Sequence, residues 1–190
     1  MKTGIFGGAF DPVHIGHVRA AEAFFDEIKL DRLYILPNLI PPFKKQDFAT
    51  AADRLEMLKI AFKNKKNIII DDFELKNKGI SYTYKTIQHY KELSPEDDLF
   101  LLIGDDNMVD FEKWAEFRFI IENCTLCVAN RTGEYNRKIK EYYEQNYRAK
   151  ISLLRFKPVT ISSTELRGKI SPEYLPSGVF EYINQKGLYE

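Results

Sequence analysis

The stretch Gly7-Gly8-Ala9-Phe10-Asp11-Pro12-Val13-His14-Ile15-Gly16-His17 decides the fold. A short apolar run, Gly4-Ile5-Phe6, precedes it and reads as a first β-strand. After it, Ile15, Val18, Ala21, Phe24, Phe25 and Ile28 recur at helical spacing. The stretch is therefore a strand-to-helix turn. Such turns aim backbone N–H groups and the positive end of a helix at one spot, which suits an anion. Gly7 and Gly8 let the chain turn and let a ligand approach the backbone. Pro12 stiffens the entry to the helix. His14 and His17, three positions apart, can face the same side of its first turn. Taken alone, the stretch reads either as a phosphate site or as a tight glycine-rich turn with two solvated histidines.

Outward from this turn, strand and helix signals alternate. Arg32 to Leu36 is a second strand, ended by Pro37, and Asn38 to Lys45 is a proline-rich loop. Thr50-Ala51-Ala52-Asp53 is a capping pattern that opens a helix with Leu55, Leu58 and Phe62 on one face. Ile68-Ile69-Ile70 is a third strand, and Ser81-Tyr82-Thr83 leads into a helix carrying Tyr84, Ile87 and Tyr90. Leu99 to Ile103 is continuously apolar, as a buried parallel strand should be, and Gly104-Asp105-Asp106-Asn107 follows it. One helix is expected from about Val109 to Asn123, carrying Trp114. Next come a strand from Cys124 to Ala129, a turn at 130–133, a Tyr-rich helix from Tyr135 to Tyr147 and a strand from Ile151 to Phe156. The last helix runs from about Pro176 to Gln185. This alternation implies right-handed crossovers and an α/β fold with a doubly wound parallel sheet. Such sheets bind ligands at the carboxyl ends of their strands. The three segments Gly7 to His17, Pro37 to Lys44 and Gly104 to Asn107 all fall there.

The 190 residues suit a single domain over the whole chain, 1–190, with no internal repeat or linker. Lys plus Arg number 28 and Asp plus Glu number 28, so the formal charge is zero and a broad nucleic-acid surface is not expected. A local anion site needs only a few cations. No apolar run reaches the roughly 20 residues of a membrane span, and Met1 leads directly toward a strand with no signal peptide; a cytoplasmic protein is expected. Cys124 and Cys127 form a Cys-x-x-Cys pattern. Three apart in a strand, they face opposite ways, and no second pair completes a metal site. Neither G-x-G-x-x-G nor G-x-x-x-x-G-K-[ST] occurs, so the phosphate cradles of hydride-transfer dinucleotide folds and P-loop ATPases are absent.

Ile161-Ser162-Ser163-Thr164-Glu165-Leu166-Arg167 is a second helix start. A Ser or Thr caps it, its free N–H groups can take an anion, and Arg167 lies one turn in. By itself it reads as plain capping by Ser163 with a solvated Arg167.

The first stretch resembles the GGxFxPxHxGH signature of the HxGH nucleotidyltransferase superfamily, and Ile161 to Arg167 resembles that superfamily's ISSTxxR signature. Within it the chain is similar, over nearly its full length, to the bacterial nicotinate mononucleotide adenylyltransferase family of NAD biosynthesis. The likeness includes Leu36-Pro37-Asn38, Pro41-Pro42 with Lys44, Arg54, Ser81-Tyr82-Thr83, Gly104-Asp105-Asp106, Trp114, Arg131 and Gly187-Leu188-Tyr189. One departure stands out: Phe43 occupies the position where the family usually has His before the Lys or Arg. The resemblance implies a Rossmann-like fold in which ATP contacts Gly7, Gly8, Phe10, His14, His17, Gly104, Asp106, Ile161, Ser162, Ser163 and Arg167. It implies an acceptor site at Asn38, Lys44, Arg54, Ser81, Tyr82, Thr83, Trp114, Ala115 and Arg131. There Trp114 stacks on the pyridine ring, and Thr83 with backbone groups near Trp114 and Ala115 holds the carboxylate.

The chemistry agrees with that resemblance. A mononucleotide phosphate has a second pKa of about 6, so it is already an anionic nucleophile at neutral pH and needs no general base. Phosphoryl-type transfer is mostly positioning and charge stabilisation. His14, His17, Lys44 and Arg167 are expected to supply that charge, with Mg²⁺ bridging the ATP phosphates and held mainly by them and by water; no metal site of the protein's own is expected. The expected reaction is direct in-line attack of nicotinate mononucleotide on the ATP α-phosphate, giving deamido-NAD and pyrophosphate. Other acceptors of the superfamily, and a nucleotide-binding sensor without turnover, are the rival readings. Oligomeric state, a homo-oligomer included, is left open.

Overall fold

β1 (Lys2–Gly8) is the inner strand from which the sheet grows in both directions. The remaining strands are β2 (Arg32–Pro37), β3 (Ile68–Ile70), β4 (Asp98–Gly104), β5 (Thr125–Ala129) and β6 (Ile151–Leu154). The computed structural model describes the chain apart from residues 41–47, 78, 130–133, 156–158 and 160, and apart from the side chains of 134–136. All described pairings are parallel, in the order β3-β2-β1-β4-β5-β6. This is the doubly wound α/β arrangement expected from the alternation of strand and helix signals. The order reverses between β1 and β4, and ligands of such sheets bind in the crevice at that reversal.

Side-chain alternation along the strands feeds two cores. On one face, Leu33, Ile35, Leu102 and Cys127 pack with residues of α1 (Ile15–Ile28), α2 (Ala51–Phe62), α8 (Ser163–Gly168) and α9 (Val179–Lys186). On the other, Ile5, Leu101, Ile103, Leu126 and Val128 pack with α4 (Thr83–Leu93), α6 (Phe117–Asn123) and α7 (Glu134–Tyr147). Phe24 of α1 is wholly buried in the first core, and truncating such a ring costs about 3–5 kcal/mol. Cys124 and Cys127 are both free and fall in different cores. Their facing opposite ways is thus observed.

Several boundaries differ from the sequence reading. The single helix expected from Val109 to Asn123 is broken. It becomes α5 (Asp105–Val109), a 3₁₀ turn at Phe111–Lys113 and α6. Trp114 is extended (φ −71°, ψ 138°) and Glu116 is left-handed (φ 53°). No Pro or Gly marks the break. Tertiary packing sets it: Phe111 is fully buried, whereas Trp114 leans on it, ring centroids 5.0 Å apart, and stays half-exposed at a cavity rim. A four-residue helix, α3 (Phe73–Lys76), follows β3 and has no periodic signal in the sequence. Gly7, Gly8 and Gly104 belong to strands. The strand expected to run to Phe156 ends at Leu154, and the Arg155 N–H donates instead to the Glu27 carboxylate; the expected turn at 130–133 and Phe156 itself lie outside the described residues.

Candidate active site

A cavity of about 750 Å³ opens at the carboxyl ends of β1 and β4, toward the upper end of ordinary ligand sites. His14 is the N-cap of α1, and its Nδ1 accepts the Gly16 N–H at 3.1 Å. In return the His14 N–H donates to His17 Nδ1 at 3.2 Å. Each ring therefore accepts at Nδ1, which puts the hydrogen of the neutral tautomer on Nε2. The imidazoles overlap, centroids 3.7 Å apart and inclined by 31°. Gly16 makes the overlap possible, because a Cβ there would sit 2.9 Å from the His14 ring. Phe10, itself left-handed (φ 50°) and buried, meets the His17 ring edge-on at 5.0 Å. The turn thus brings together two Nε2 donors and the amino end of a fourteen-residue helix, the combination that stabilises phosphate.

α8 is fastened to this turn. Arg167 Nη1 donates to the Asp11 carbonyl at 2.7 Å and Nη2 to Thr164 Oγ1 at 2.9 Å. The guanidinium also lies 4.6 Å over the Phe48 ring. Ser163 Oγ donates to the Pro12 carbonyl at 3.0 Å. The cap is Ser162 rather than Ser163: its Oγ accepts the Glu165 N–H at 3.2 Å, while Glu165 Oε2 accepts the Ser162 N–H at 2.8 Å. The Ser162 hydroxyl, which donates to Glu165 Oε2 at 2.7 Å, and after it the Ser162 N–H hold the Glu165 carboxyl below its ordinary range. The Asp11 carboxylate accepts from Phe48 N–H, Ala49 N–H and the Tyr189 hydroxyl. It joins the histidine turn to the segment before α2 and to Tyr189.

Across the cavity, no side chain among the described residues caps α4 at Tyr82, and such a helix start suits an anion. Ser81 Oγ accepts the Leu39 N–H at 2.9 Å and the Ser81 N–H donates to the Ile40 carbonyl at 3.0 Å. These bonds hold the segment after β2 against α4.

Of the residues singled out in the sequence, Gly7, Gly8, Phe10, His14, His17, Gly104, Asp106, Ile161, Ser162 and Ser163 line the cavity. So do Asn38, Ser81, Tyr82, Thr83, Trp114 and Ala115. Arg167 and Arg54 do not line it. Arg54 is wholly buried and donates through Nη1 to the Ala9 carbonyl at 2.8 Å, beneath the turn. Lys44 and Arg131 lie outside the described residues. The lining also includes Asn107, at the end of the segment expected there, and Glu74, Thr86 and Lys113, which the sequence reading missed. Glu74 belongs to the unforeseen α3, and Lys113 to the unforeseen 3₁₀ turn.

No group of three or more His, Cys, Asp and Glu among the described residues could hold a metal ion. Oxygen donors are the ligands Mg²⁺ takes, and Asp106 in the lining is one, so an ion carried on a triphosphate fits the site.

The cytidylyltransferase-like family model matches residues 5–169. A probable nicotinate-nucleotide adenylyltransferase of Clostridium acetobutylicum is 38% identical, covering 99% of this chain and 98% of that protein. Another, of Dictyoglomus thermophilum, is 37% identical and covers 100% of both. The solved structure of Plasmodium falciparum nicotinic acid mononucleotide adenylyltransferase complexed with NaAD matches with a TM-score of 0.83. It is 20% identical, covers 99% of this chain and 97% of that one, and speaks to the fold. A histidine turn built as an anion site at the sheet's reversal, and full-length likeness to these relatives, place the chain in the cytidylyltransferase-like family, among the nicotinate-nucleotide adenylyltransferases.

Proposed function

We propose that the cavity joins ATP to nicotinate mononucleotide, releasing pyrophosphate and deamido-NAD. The observation that carries this reading is the reciprocal cap of His14 and His17, with two Nε2 donors and the start of α1 beside one cavity. The triphosphate lies along the histidine turn and α8, with the adenosine toward Gly104 and Asp106. The acceptor lies toward Tyr82, Thr83 and Trp114, its carboxylate at the open start of α4 and its ring on the indole. Its phosphate oxygen attacks the α-phosphorus in line with the departing pyrophosphate.

At neutral pH the acceptor phosphate is largely dianionic, so the protein need not remove a proton. Its work is alignment and stabilisation of charge that grows on the α-phosphoryl oxygens. His14 and His17 donate to those oxygens, and Arg167 and Lys44 offset the charge that leaves with pyrophosphate. Mg²⁺ bound to the phosphates supplies further charge neutralisation.

The test is pyrophosphate release from Mg-ATP by the purified protein with a panel of acceptors: nicotinate mononucleotide, nicotinamide mononucleotide, phosphopantetheine and glycerol phosphate. Formation of deamido-NAD with the first as the preferred acceptor supports the reading. ATP binding without turnover of any acceptor would replace it with a nucleotide sensor.

A further inference from the structure

Glu74 is a buried carboxylate in the cavity wall. Its Oε2 accepts from Asn38 Nδ2 at 2.7 Å, and its Oε1 accepts from Thr86 Oγ1 at 2.7 Å. The pair sits against the end of β1: a Cβ on Gly7 would have Asn38 Nδ2 and Glu74 Oε1 as its nearest neighbours, each at 3.9 Å. A carboxylate only accepts hydrogen bonds, so it fixes the Asn38 amide with its NH₂ toward Glu74. The other polar face of Asn38 is then its carbonyl oxygen. This corner of the wall presents acceptor atoms and negative charge.

We propose that Glu74 and the Asn38 carbonyl it orients form the sugar site of the acceptor, receiving ribose hydroxyls; this rests on the adenylyltransferase reading above. Nicotinate mononucleotide has two anionic ends, a ring carboxylate and a phosphate, and a neutral diol between them. Negative charge in a poorly solvated wall repels both anions, whereas hydroxyls donate to it. The order along the wall matches the order in the ligand. Thr86 lies one helical turn after Thr83 at the open start of α4, where the carboxylate is read. Gly7 leads into the histidine turn, where the phosphate reacts. Glu74 stands between them.

The test compares nicotinate mononucleotide with its 2′-deoxy and 3′-deoxy analogues, using the parent and Glu74→Gln. The parent is expected to disfavour at least one deoxy analogue by about tenfold or more in kcat/KM, the size of a lost hydrogen bond to a charged group. Glu74→Gln can donate to Asn38 and reverse its amide. It should raise KM for nicotinate mononucleotide about tenfold, leave KM for ATP within about twofold, and shrink the ribo-to-deoxy ratio. Asn38→Ala, which keeps Glu74, should shrink the same ratio, and serves if Glu74→Gln does not fold. An unchanged ratio in both variants, or an equal rise of KM for ATP, overturns the sugar site while parent turnover leaves the adenylyltransferase reading standing. No turnover of nicotinate mononucleotide by the parent overturns both.

Discussion

The imidazoles of His14 and His17 stack 3.7 Å apart, and each accepts a backbone N–H of the helix start that the other helps to close. In the proposed reaction His17 therefore has two separable duties, a cap and a donor. His17→Ala should lower kcat by about 10² to 10³, the usual size for one preorganised donor. Its loss of stability should be only about 1 kcal/mol, the size of a lost cap. Thermal unfolding beside steady-state rates measures both. Turnover within a few-fold of the parent would remove His17 from the reaction.

Arg167 reaches the Asp11 carbonyl and the Phe48 ring, so it is held at the turn without lining the cavity. Arg167→Ala should weaken ATP binding far more than acceptor binding. Arg167→Lys should restore only part of the loss, since a planar fork becomes a point charge. Calorimetry with each substrate alone checks this. Equal weakening of both substrates would make Arg167 a strut of the turn.

In the proposed complex the acceptor's carboxylate is read at Thr83 and its ring at Trp114. An amide in place of the carboxylate leaves a donor unpaired, which can cost powers of ten in kcat/KM. Nicotinate mononucleotide should therefore be strongly preferred to nicotinamide mononucleotide. Trp114→Ala should raise KM for both and roughly preserve their ratio, because stacking does not distinguish them, whereas Thr83→Val should shrink it. Comparable kcat/KM for the two acceptors in the parent would overturn this assignment.

At the opposite end of β1, Asp97 Oδ2 accepts from Thr3 Oγ1 and Arg32 Nη2, both at 2.6 Å. The Thr3 hydrogen bond, followed by that of Arg32, holds the Asp97 carboxyl at about 2 in the folded chain. The unfolded chain titrates near the ordinary 3.8, so the folded state keeps this charge in acid where the unfolded state has lost it. The stability is complete above about pH 4 and is lost as pH falls from there through about 2. Asp97→Asn should lower Tm at pH 7, and the gap to the parent should close near pH 2. KM for both substrates should not change, since the cluster is remote from the cavity. A gap independent of pH would contradict the pairing.

The doubly wound sheet was legible because its signals are local. Apolar runs such as Leu99 to Ile103 are strands, and the turn at Gly7 to His17 changes the period from two to helical. The helix starts that follow Val13 and Ile161 were legible for the same reason. The break at Trp114 was not, because packing of Phe111 and not Pro or Gly imposes it. Glu74 was not, because a four-residue helix carries no period. Arg54 shows the converse: its sequence position pointed to the acceptor, and the structure buries it under the Ala9 carbonyl. Burial of a charge by tertiary contacts has no local sequence signal.

The bonds from Ser163 and Arg167 to the carbonyls of Pro12 and Asp11 span 151 and 156 positions. β1, which carries the histidine turn, also pairs on one side with β4, whose first residue is Asp98. During synthesis the ribosome thus delivers the turn first and the helix that fastens it nearly last. A nascent chain that stops short of Ser163 holds the histidines without their clasp. The reactive site is consequently a late event of folding, and activity reports on arrival of the distal part of the chain as much as on the turn itself.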